Sequence, residues 1–550
     1  MRHSSRLGTA TVTGTLLALL AACTGSSPAP GGDASKPLPK VTGNPPVTLD
    51  VFAPQGGEGS LRKNAFTKEI KEKFNITIRW QTTTYDANAA KEKRQISLAS
   101  GDLPDAYLLI PWVDQFSQTE LLKLSGQGII QPLDQHIKQY GPNIRKAWEK
   151  EPAYKRMATA PDGHIYGMPQ WNDCYHCTYS AKLWLNTTWL KKLGLEQPKT
   201  PAELRKVLRA FKNDDPNGNG KADEVPLSGT VTDSVINYLM GAYSYAPQGT
   251  TVNTNPTLVL RDGKAAVQAN RDDWREGLRY IRSLYKEGLI DSGAFTQNNG
   301  ALNRLGDNAD AVRLGSITTQ HIGQYMTVDD KNVRYKQYDA IPPLKGPDGT
   351  QYTNSYSPSF AGATFVLTSK ATQTEQIQAI KMLDYLHSDK GRLDSYFGPD
   401  GWAEAKKGET GTSGKPATFR AVEAPANNEW GPLAQYNHTA DYRTSQAFAK
   451  DSKSPDGYER LLHEATELYE PYAPKDLAFP YEETWIDPAK AQELATLQTN
   501  IGTFIQQSNV QFITGRKSLD ADWDTYKADL EKLGLKQFLK LYQEAYDTSH

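Results

Sequence analysis

The sequence predicts an α/β fold built on a mostly parallel sheet. Val47, Leu49 and Val51 alternate with polar residues, as in a half-buried strand, and apolar residues at helical spacing follow over 66–74. A second alternating stretch over 76–80 completes a unit of strand, helix and strand. Strands that alternate with helices are typical of parallel sheets, in which ligands bind beyond the carboxyl ends of the strands.

The next elements continue this pattern. A helix is predicted over 86–100, and the apolar run over 107–110 predicts the strand that follows it. Residues 56–57 and 111–112 come directly after predicted strands. We therefore expect both pairs to lie near any ligand site.

Later helices are predicted from capping signals and apolar stripes. The clearest one starts at the capping box Thr200-Pro201-Ala202-Glu203, and apolar residues follow it at positions 204, 207, 208 and 211. The other predicted elements are a strand at 364–367, a capping box at 372–375 with a stripe over 377–386, and stripes over 274–285, 523–533 and 538–546. Core packing is the expected role of all these stripes.

Charge and aromatic content limit the classes of function that the chain can have. The chain has 550 residues and a formal net charge of −1, which becomes −3 without residues 1–22, because that segment holds two arginines and no acid. A near-neutral chain without a block of basic residues is not typical of nucleic-acid binding. Its 28 tyrosines and 11 tryptophans exceed what a core needs, so we expect some of these rings to face a ligand.

The amino terminus predicts export. Two arginines precede an uncharged stretch whose apolar centre, Leu16–Leu20, is too short to span a bilayer, as in a signal peptide over 1–22. The segment that ends at Cys23 resembles the lipobox of bacterial lipoproteins, which implies that Cys23 is acylated. Residues 23–46 are rich in Gly, Ser and Pro and predict a flexible tether. The expected location is the extracellular face of the cell membrane.

The other two cysteines lie in the motif Cys174-Tyr175-His176-Cys177. An even pair in an exported protein predicts a local disulfide. The same spacing also fits a redox motif, half of a zinc site, or two free thiols.

Residues 215–224 have the spacing of a calcium-binding loop. Oxygen-bearing side chains occupy positions 1, 3, 5 and 9, glycine occupies position 6, and a backbone carbonyl is available at position 7. Position 12, normally Glu, is Pro226, and Glu224 supplies an acid instead. A turn rich in Asn and Gly is the alternative. The predicted ligands of a structural calcium ion are Asp215, Asn217, Asn219, Lys221 through its carbonyl, Asp223 and Glu224.

Several short sequence motifs occur in a fixed order along the chain and suggest a family. They are Gly101–Asp105, Tyr166–Pro169 followed by Trp171, the calcium loop with the helix before it, Leu284–Ile290, Gly346–Gly349 and Phe512–Gly515. In this order the sequence resembles the extracellular solute-binding lipoproteins of ABC importers, in the long branch that captures oligosaccharides and includes the alginate-binding proteins.

The resemblance implies a two-lobed, periplasmic-binding-protein-like fold of class II type with a hinge between the lobes. Lobe one would comprise 47–170 plus 360–400, and lobe two, with the calcium loop, 171–359 plus 401–550. It also implies a monomeric, non-enzymatic receptor that closes around its ligand and delivers it to the permease subunits of an importer.

A sugar ligand calls for aromatic rings that stack on its apolar faces and polar groups that pair with its hydroxyls. Aromatic and polar residues in predicted loops are therefore the candidates, although each of them could instead belong to the core. The candidate ligand-binding residues are Trp112, Trp171, Asn172, Tyr356, Trp402 and Trp485.

Two other functions are compatible with the sequence. A secreted glycoside hydrolase or polysaccharide lyase would need a pair of carboxylates, which acid-rich loops could supply although no motif marks one. A receptor for a non-sugar solute such as a peptide would share the fold. Aromatic content favours the carbohydrate receptor.

Overall fold

The computed structural model describes residues 38–57, 59–247, 258–308, 310–355, 357 and 359–550. The predicted signal peptide, Cys23, the first part of the predicted tether and Tyr356 lie outside these residues. In the described part of the chain, no helix is long and apolar enough to cross a membrane.

Helices and strands alternate strictly only over 47–108, and several helices in succession separate some of the later strands of the described chain. The strands are β1 Val47–Pro54, β2 Ile76–Thr83, β3 Ala106–Leu108, β4 Lys182–Asn186, β5 Leu258–Arg261, β6 Lys264–Val267, β7 Ser316–Thr319, β8 Tyr338–Ile341, β9 Phe365–Leu367, β10 Trp402–Glu404 and β11 Phe419–Ala421.

The α-helices cover more of the chain than the strands do. They are α1 Ala65–Phe74, α2 Ala87–Ser100, α3 Gln118–Gly126, α4 Asp134–Tyr140, α5 Pro142–Lys150, α6 Pro152–Ala158, α7 Tyr175–Thr178, α8 Thr187–Lys192, α9 Pro201–Asn213, α10 Val235–Leu239, α11 Asp272–Lys286, α12 Asn299–Gly306, α13 Gln373–His387, α14 Asp389–Phe397, α15 Ala440–Thr444, α16 Tyr458–Glu467, α17 Ala491–Thr514, α18 Trp523–Lys532 and α19 Leu535–Ser549.

The first sheet has the strand order β2-β1-β3-β9. β1 pairs in parallel with both β2 and β3, and β9 closes the edge as an antiparallel strand. Asn64 caps α1 by accepting hydrogen bonds from the next backbone amides, and Asn75 ends that helix with φ +55°. The predicted unit of strand, helix and strand and the predicted parallel sheet are confirmed here.

The second sheet has the order β7-β4-β8, and both pairings are antiparallel. This differs from the parallel arrangement that the sequence predicts. The reason is that the chain enters this sheet at the edge where β7 and β8 end, so β4 must run against them. Parallel pairing appears beyond β7, where Ser228 pairs with Ile317 and Leu227 pairs with Ile290.

Each of these two sheets has its own hydrophobic core, so the molecule has two lobes; the strands β5-β6 and β10-β11 form two further two-stranded sheets. The first core joins one face of the first sheet to α1, α5 and α13, and the second core joins the second sheet to α9, α11, α17 and α19. A smaller cluster covers the other face of the first sheet and includes Phe52, Tyr107 and Trp485.

The predicted boundary after residue 400 divides the first core. Trp430 and Tyr436 are buried in that core, and the Trp430 ring lies edge-on to Phe66 with centroids 4.8 Å apart. Backbone hydrogen bonds hold this segment against the first lobe, because the amide of Ala65, at the start of α1, donates to the Asn427 carbonyl. The segment around 427–436 therefore belongs to the first lobe, not to the second.

Local signals place most helices correctly. The capping boxes at Thr200 and Thr372 both form, and they begin α9 and α13 as predicted. The stripes over 274–285, 523–533 and 538–546 correspond to α11, α18 and α19, which bury their apolar faces in the second core.

The last residues assigned to the tether contact the first lobe. Val41 donates its amide to the Tyr140 hydroxyl at 3.0 Å, and Tyr140 donates to the Pro39 carbonyl at 2.7 Å. Lys381 donates to the Gly43 carbonyl at 2.6 Å. These side chains pair with one amide and two carbonyls of the segment and hold it against the first lobe, so a flexible tether reaching residue 46 is too long.

Candidate ligand cleft and calcium loop

Among the stretches of chain that connect the lobes, two run between the same two sheet edges. The first leaves the carboxyl edge of the first sheet at Met168, which pairs with Phe365, and reaches the start of β4 at Lys182. The second runs from the end of β8 to the start of β9. Since β4 begins where β7 and β8 end, the carboxyl edges of the two sheets are joined twice. We call the space between these edges the cleft.

Two exposed rings lie at the first edge of the cleft. Tyr85 follows β2 and is 39 % exposed, and Trp112 follows β3 and is 45 % exposed. Their ring centroids are 5.4 Å apart in an edge-to-face arrangement. A Cβ at Gly56, which follows β1, would lie 3.3 Å from the Tyr85 ring, so the ring packs over the backbone there. We call Tyr85 and Trp112 the aromatic pair.

A buried ion pair supports the loop that carries Trp112. The guanidinium of Arg94 is fully buried, and its Nε lies 2.6 Å from Asp114 Oδ2. Asp114 also donates its amide to the Ile110 carbonyl, which closes a tight turn around Trp112. Arg94 therefore links α2 to this turn and holds in place the backbone that carries Trp112.

The second edge of the cleft carries polar groups. Asp233 follows the segment that pairs with β7, and its Oδ2 accepts a hydrogen bond of 2.6 Å from the Tyr325 hydroxyl. Thr319, the last residue of β7, donates to the same oxygen at 3.4 Å. Burial raises the pKa of Asp233 above its ordinary value. The Thr319 hydroxyl and the Tyr325 phenol are buried, so this edge offers a ligand the half-buried carboxylate of Asp233, which these two groups hold in place.

The predicted disulfide between Cys174 and Cys177 is present. It closes a helical turn, residues 174–178, which we call the disulfide turn and which packs on α16 at the start of the second lobe. The turn lines a cavity of about 180 Å³ at the boundary between the lobes. Other residues lining this cavity are Tyr396, Phe397, Arg443, Phe448, Glu459 and His463.

Trp171 and Asn172 lie in the first crossing. Trp171 is 4 % exposed and packs in the first core against Tyr154, with ring centroids 5.3 Å apart. The Asn172 amide donates to Gln435 Oε1 at 3.0 Å, and its oxygen accepts from Arg443 Nε at 3.0 Å. Both side chains thus hold the crossing in place. Their contact with a ligand stays a prediction.

Trp402 begins β10 and is half-buried. Its indole N–H donates to Asp394 Oδ1 at 2.9 Å, and this bond anchors the strand to α14. The turn before it requires Gly398, which has φ +87° and no room for a Cβ beside Asn428. The indole N–H is therefore engaged within the protein.

Trp485 lies away from the aromatic pair. Its side chain is 5 % exposed and packs on the face of the first sheet opposite the first core. It lines a cavity of about 940 Å³ between the first lobe and α19. Another wall residue, Ile130, pairs with Thr368 beside the amino end of β3. Trp485 and Trp112 therefore lie toward opposite edges of the sheet.

Sequence reasoning missed several of these residues. The signal for Tyr85 was available, since it follows a predicted strand just as Trp112 does. Asp233, Tyr325 and Arg443 carry no comparable signal. They come together through contacts between residues that are far apart in sequence.

The calcium loop lies at the other end of the second lobe. It directly precedes Val225, which pairs with Leu314 before β7 begins, whereas the cleft lies past the end of β7. An ion in this loop would therefore brace the amino end of the strand and would not meet a ligand in the cleft.

Hydrogen bonds within the loop fold its backbone and side chains around Asp215 and Asp223. Asp215 accepts hydrogen bonds from the amides of Gly218, Asn219 and Gly220 at 2.9–3.1 Å, and Gly220 has φ +72°. The side-chain amides of Asn217 and Asn219 both donate to Asp223 Oδ1. Rotating each amide by half a turn would direct its oxygen toward the same point, where a cation would fit.

The charges of the loop also fit a cation. Glu224 Oε1 is buried and has no hydrogen-bond partner among the described residues. Its burial, together with the nearby negative charges of Asp215 and Asp223, raises the pKa of Glu224. The hydrogen bond from Asn219 holds the pKa of Asp223 below its ordinary value. A divalent ion would compensate these carboxylates.

Comparison with known proteins identifies close relatives of this chain. Residues 65–397 match a family described as bacterial extracellular solute-binding proteins. The fructooligosaccharide ABC transporter substrate-binding protein FusA of Streptococcus pneumoniae is 30 % identical over 501 residues, which are 87 % of this chain and 86 % of FusA.

Solved structures have the same architecture. An EF-hand mutant of S. pneumoniae FusA in complex with fructo-nystose superposes with a TM-score of 0.69 at 26 % identity, covering 91 % of this chain and 99 % of FusA. The alginate-binding protein AlgQ2 without calcium ion has a TM-score of 0.65 at 22 % identity, covering 91 % of this chain and 98 % of AlgQ2. The fold predicted from the sequence is confirmed.

Proposed function

Because the chain belongs to the family of bacterial extracellular solute-binding proteins, we propose that it captures an oligosaccharide between its lobes and delivers it to an ABC importer. The observation that carries this proposal is the aromatic pair. Tyr85 and Trp112 are the exposed aromatic residues among the large apolar side chains of the described chain, and they lie together at the cleft.

The two edges of the cleft offer complementary chemistry to a sugar. The aromatic pair presents ring surface to the apolar face of a pyranose or furanose. Across the cleft, the half-buried carboxylate of Asp233 suits the hydroxyl groups of the sugar rim, and the buried hydroxyls of Thr319 and Tyr325 hold that carboxylate in place. Closure of the lobes would bring both sets onto one ligand.

Among the relatives, FusA favours a neutral ligand as the first to test. FusA is named as a fructooligosaccharide-binding protein, and this chain is 30 % identical to it over most of both lengths. Asp233 at the second edge also disfavours a uronate, since two carboxylates would repel each other. Fructooligosaccharides are therefore the preferred candidate class.

A structural calcium ion supports the second lobe in this proposal. The ligands would be Asp215, Asn217, Asn219, Lys221 through its carbonyl, Asp223 and Glu224. The buried, unpartnered oxygen of Glu224 favours this set, and the EF-hand named in the FusA structure supports it further. A cation supplies positive charge to the loop when bound, and the hydrogen bonds of Asp215 hold the loop ready.

The protein would work as a monomer tethered at the extracellular face of the cell membrane through Cys23, without enzymatic activity of its own. A lipid anchor keeps the receptor near the permease that accepts its ligand. Mass spectrometry of the membrane-extracted protein tests this anchor. The expected mass is that of a chain beginning at an acylated Cys23, and an unmodified mature chain would contradict it.

Calorimetric titration with a panel of fructooligosaccharides, other neutral oligosaccharides, uronates and peptides tests the proposed ligand class. We expect heat of binding with one-to-one stoichiometry for a neutral oligosaccharide. Binding of a peptide without any oligosaccharide would refute the proposal. Assay of new reducing ends or unsaturated sugars in the same mixtures separates a receptor, which releases none, from a hydrolase or lyase.

A further inference from the structure

The disulfide turn contains three potential metal ligands within a few residues. The sulfur atoms of Cys174 and Cys177 and a ring nitrogen of His176 all lie within 4.8 Å of one another. Cys174 Sγ is 3.6 Å from His176 Nε2. Two thiolates and one imidazole are a ligand set that zinc and similar soft divalent ions prefer. While the disulfide is closed, however, the sulfurs cannot act as thiolate ligands.

His176 is oriented as a metal-binding histidine would be. Its Nδ1 lies 3.4 Å from Glu459 Oε2 on α16, which leaves Nε2 directed toward the sulfur of Cys174. In metal sites the ligating histidine commonly donates its other ring N–H to a carboxylate, which fixes both tautomer and ring orientation. Glu459 supplies that carboxylate here.

The backbone of the turn does not depend on the disulfide alone. Cys174 accepts hydrogen bonds from the amides of Cys177 and Thr178 at 2.9 and 3.0 Å. The fully buried Lys182 donates a hydrogen bond from its Nζ to the His176 carbonyl at 2.8 Å. Opening the disulfide would therefore leave the two sulfurs and the imidazole close together.

We propose that the disulfide turn is a redox-gated metal site, in which reduction creates a binding site for a soft divalent ion formed by Cys174, Cys177 and His176 Nε2. Glu459 acts as a positioning residue for His176. The cavity of about 180 Å³ beside Cys174 and His176 gives space for water as a fourth ligand.

A dithiol reductant supplies the electrons and protons that open the disulfide. The dithiol transfers two electrons and two protons, the bond between the two sulfurs breaks to give two thiols, and the reductant becomes a cyclic disulfide. Binding of the ion then displaces one proton from each thiol to solvent, and the resulting thiolates coordinate the ion.

Cobalt(II) titration tests the site, because thiolate coordination produces a charge-transfer absorption band. The full chain is reduced anaerobically with a phosphine, freed of reductant and titrated with Co²⁺. We expect a band that saturates at one equivalent and disappears when Zn²⁺ is added. The oxidised protein should give no band, and neither should the Cys174→Ser, Cys177→Ser double variant, which retains Cys23.

Two further variants test the roles of the imidazole and the carboxylate. His176→Ala and Glu459→Gln should each weaken Co²⁺ binding by about tenfold or more. Glu464→Gln, an exposed change on the same helix, should leave binding unchanged. If the double cysteine variant does not fold, the oxidised protein serves as the comparison without thiols. Absence of the band from the reduced protein, or equal affinity in His176→Ala, would overturn the proposal.

Discussion

Tyr85 and Trp112 stand edge to face at the carboxyl edge of the first sheet, with ring centroids 5.4 Å apart. They follow different strands, β2 and β3, and Gly56 at the end of β1 lies against the Tyr85 ring. Three neighbouring strands thus build one exposed aromatic surface. The proposed ligand site depends on this surface.

Replacing Trp112 by Ala should weaken oligosaccharide binding by at least about tenfold, or ~1.4 kcal/mol. The reason is the loss of an exposed ring that stacks on the sugar. Calorimetry with the tightest oligosaccharide of the panel measures the effect. Trp485→Phe is the control, because Trp485 lies toward the other edge of the sheet and its replacement should not change affinity. Equal affinity of Trp112→Ala and the wild type would contradict the assignment.

Arg94→Met should destabilise the first lobe by roughly 3–5 kcal/mol, since it leaves the buried carboxylate of Asp114 without its partner. It should also weaken sugar binding by loosening the turn that carries Trp112. Urea unfolding measures the stability. Arg79→Met provides a control, because the Arg79 side chain is 68 % exposed where it pairs with Asp50, and its loss should cost less. A larger loss for Arg79→Met would be incompatible with this account.

Removing calcium should lower the melting temperature, because an ion at about 100 times its dissociation constant stabilises the folded state by roughly 2.7 kcal/mol. Thermal unfolding with and without a chelator measures this. Asp223→Ala should melt like the chelated protein and show no further response to chelator. Asp214→Ala, an exposed neighbour outside the predicted ligand set, should keep the response. Identical melting of the wild type in both conditions, with no bound metal by mass spectrometry, would contradict the calcium site.

Lys182 predicts a pH dependence of stability. Burial lowers the pKa of this fully buried lysine from 10.5 to about 7. Between these values the unfolded chain binds a proton that the folded chain does not, so the free energy of unfolding rises with pH, by roughly 1.4 kcal/mol for each pKa unit. Urea unfolding between pH 7 and 9.5 should show this rise in the wild type but not in Lys182→Met. The exposed Lys191→Met should retain it, and a rise of equal size in Lys182→Met would contradict the prediction.

Much of the fold could be predicted because its signals are local. The capping boxes at Thr200 and Thr372 and the apolar stripes that follow them specify α9 and α13 without reference to the rest of the chain. The antiparallel direction of β4 could not be predicted in this way. It depends on which edge of the second sheet the chain enters after crossing from the first lobe.

Fewer residues of the candidate site than elements of the fold could be predicted from the sequence. Trp112 was found because a residue after a parallel strand lies at the ligand edge, and the same rule applied to β2 would have found Tyr85. Trp171 comes two residues after Pro169 in a loop-like context, yet it is buried against Tyr154 in the first core. Burial of this kind depends on partners distant in sequence, which the local context does not reveal.

The structure of the protein with a bound neutral oligosaccharide tests the central claim most directly. Crystals grown with the tightest ligand of the calorimetric panel should contain density for a sugar ring in contact with Tyr85 and Trp112, with its hydroxyls toward Asp233. Density confined to the cavity beside Trp485, or contact with neither ring of the aromatic pair, would contradict capture in the cleft.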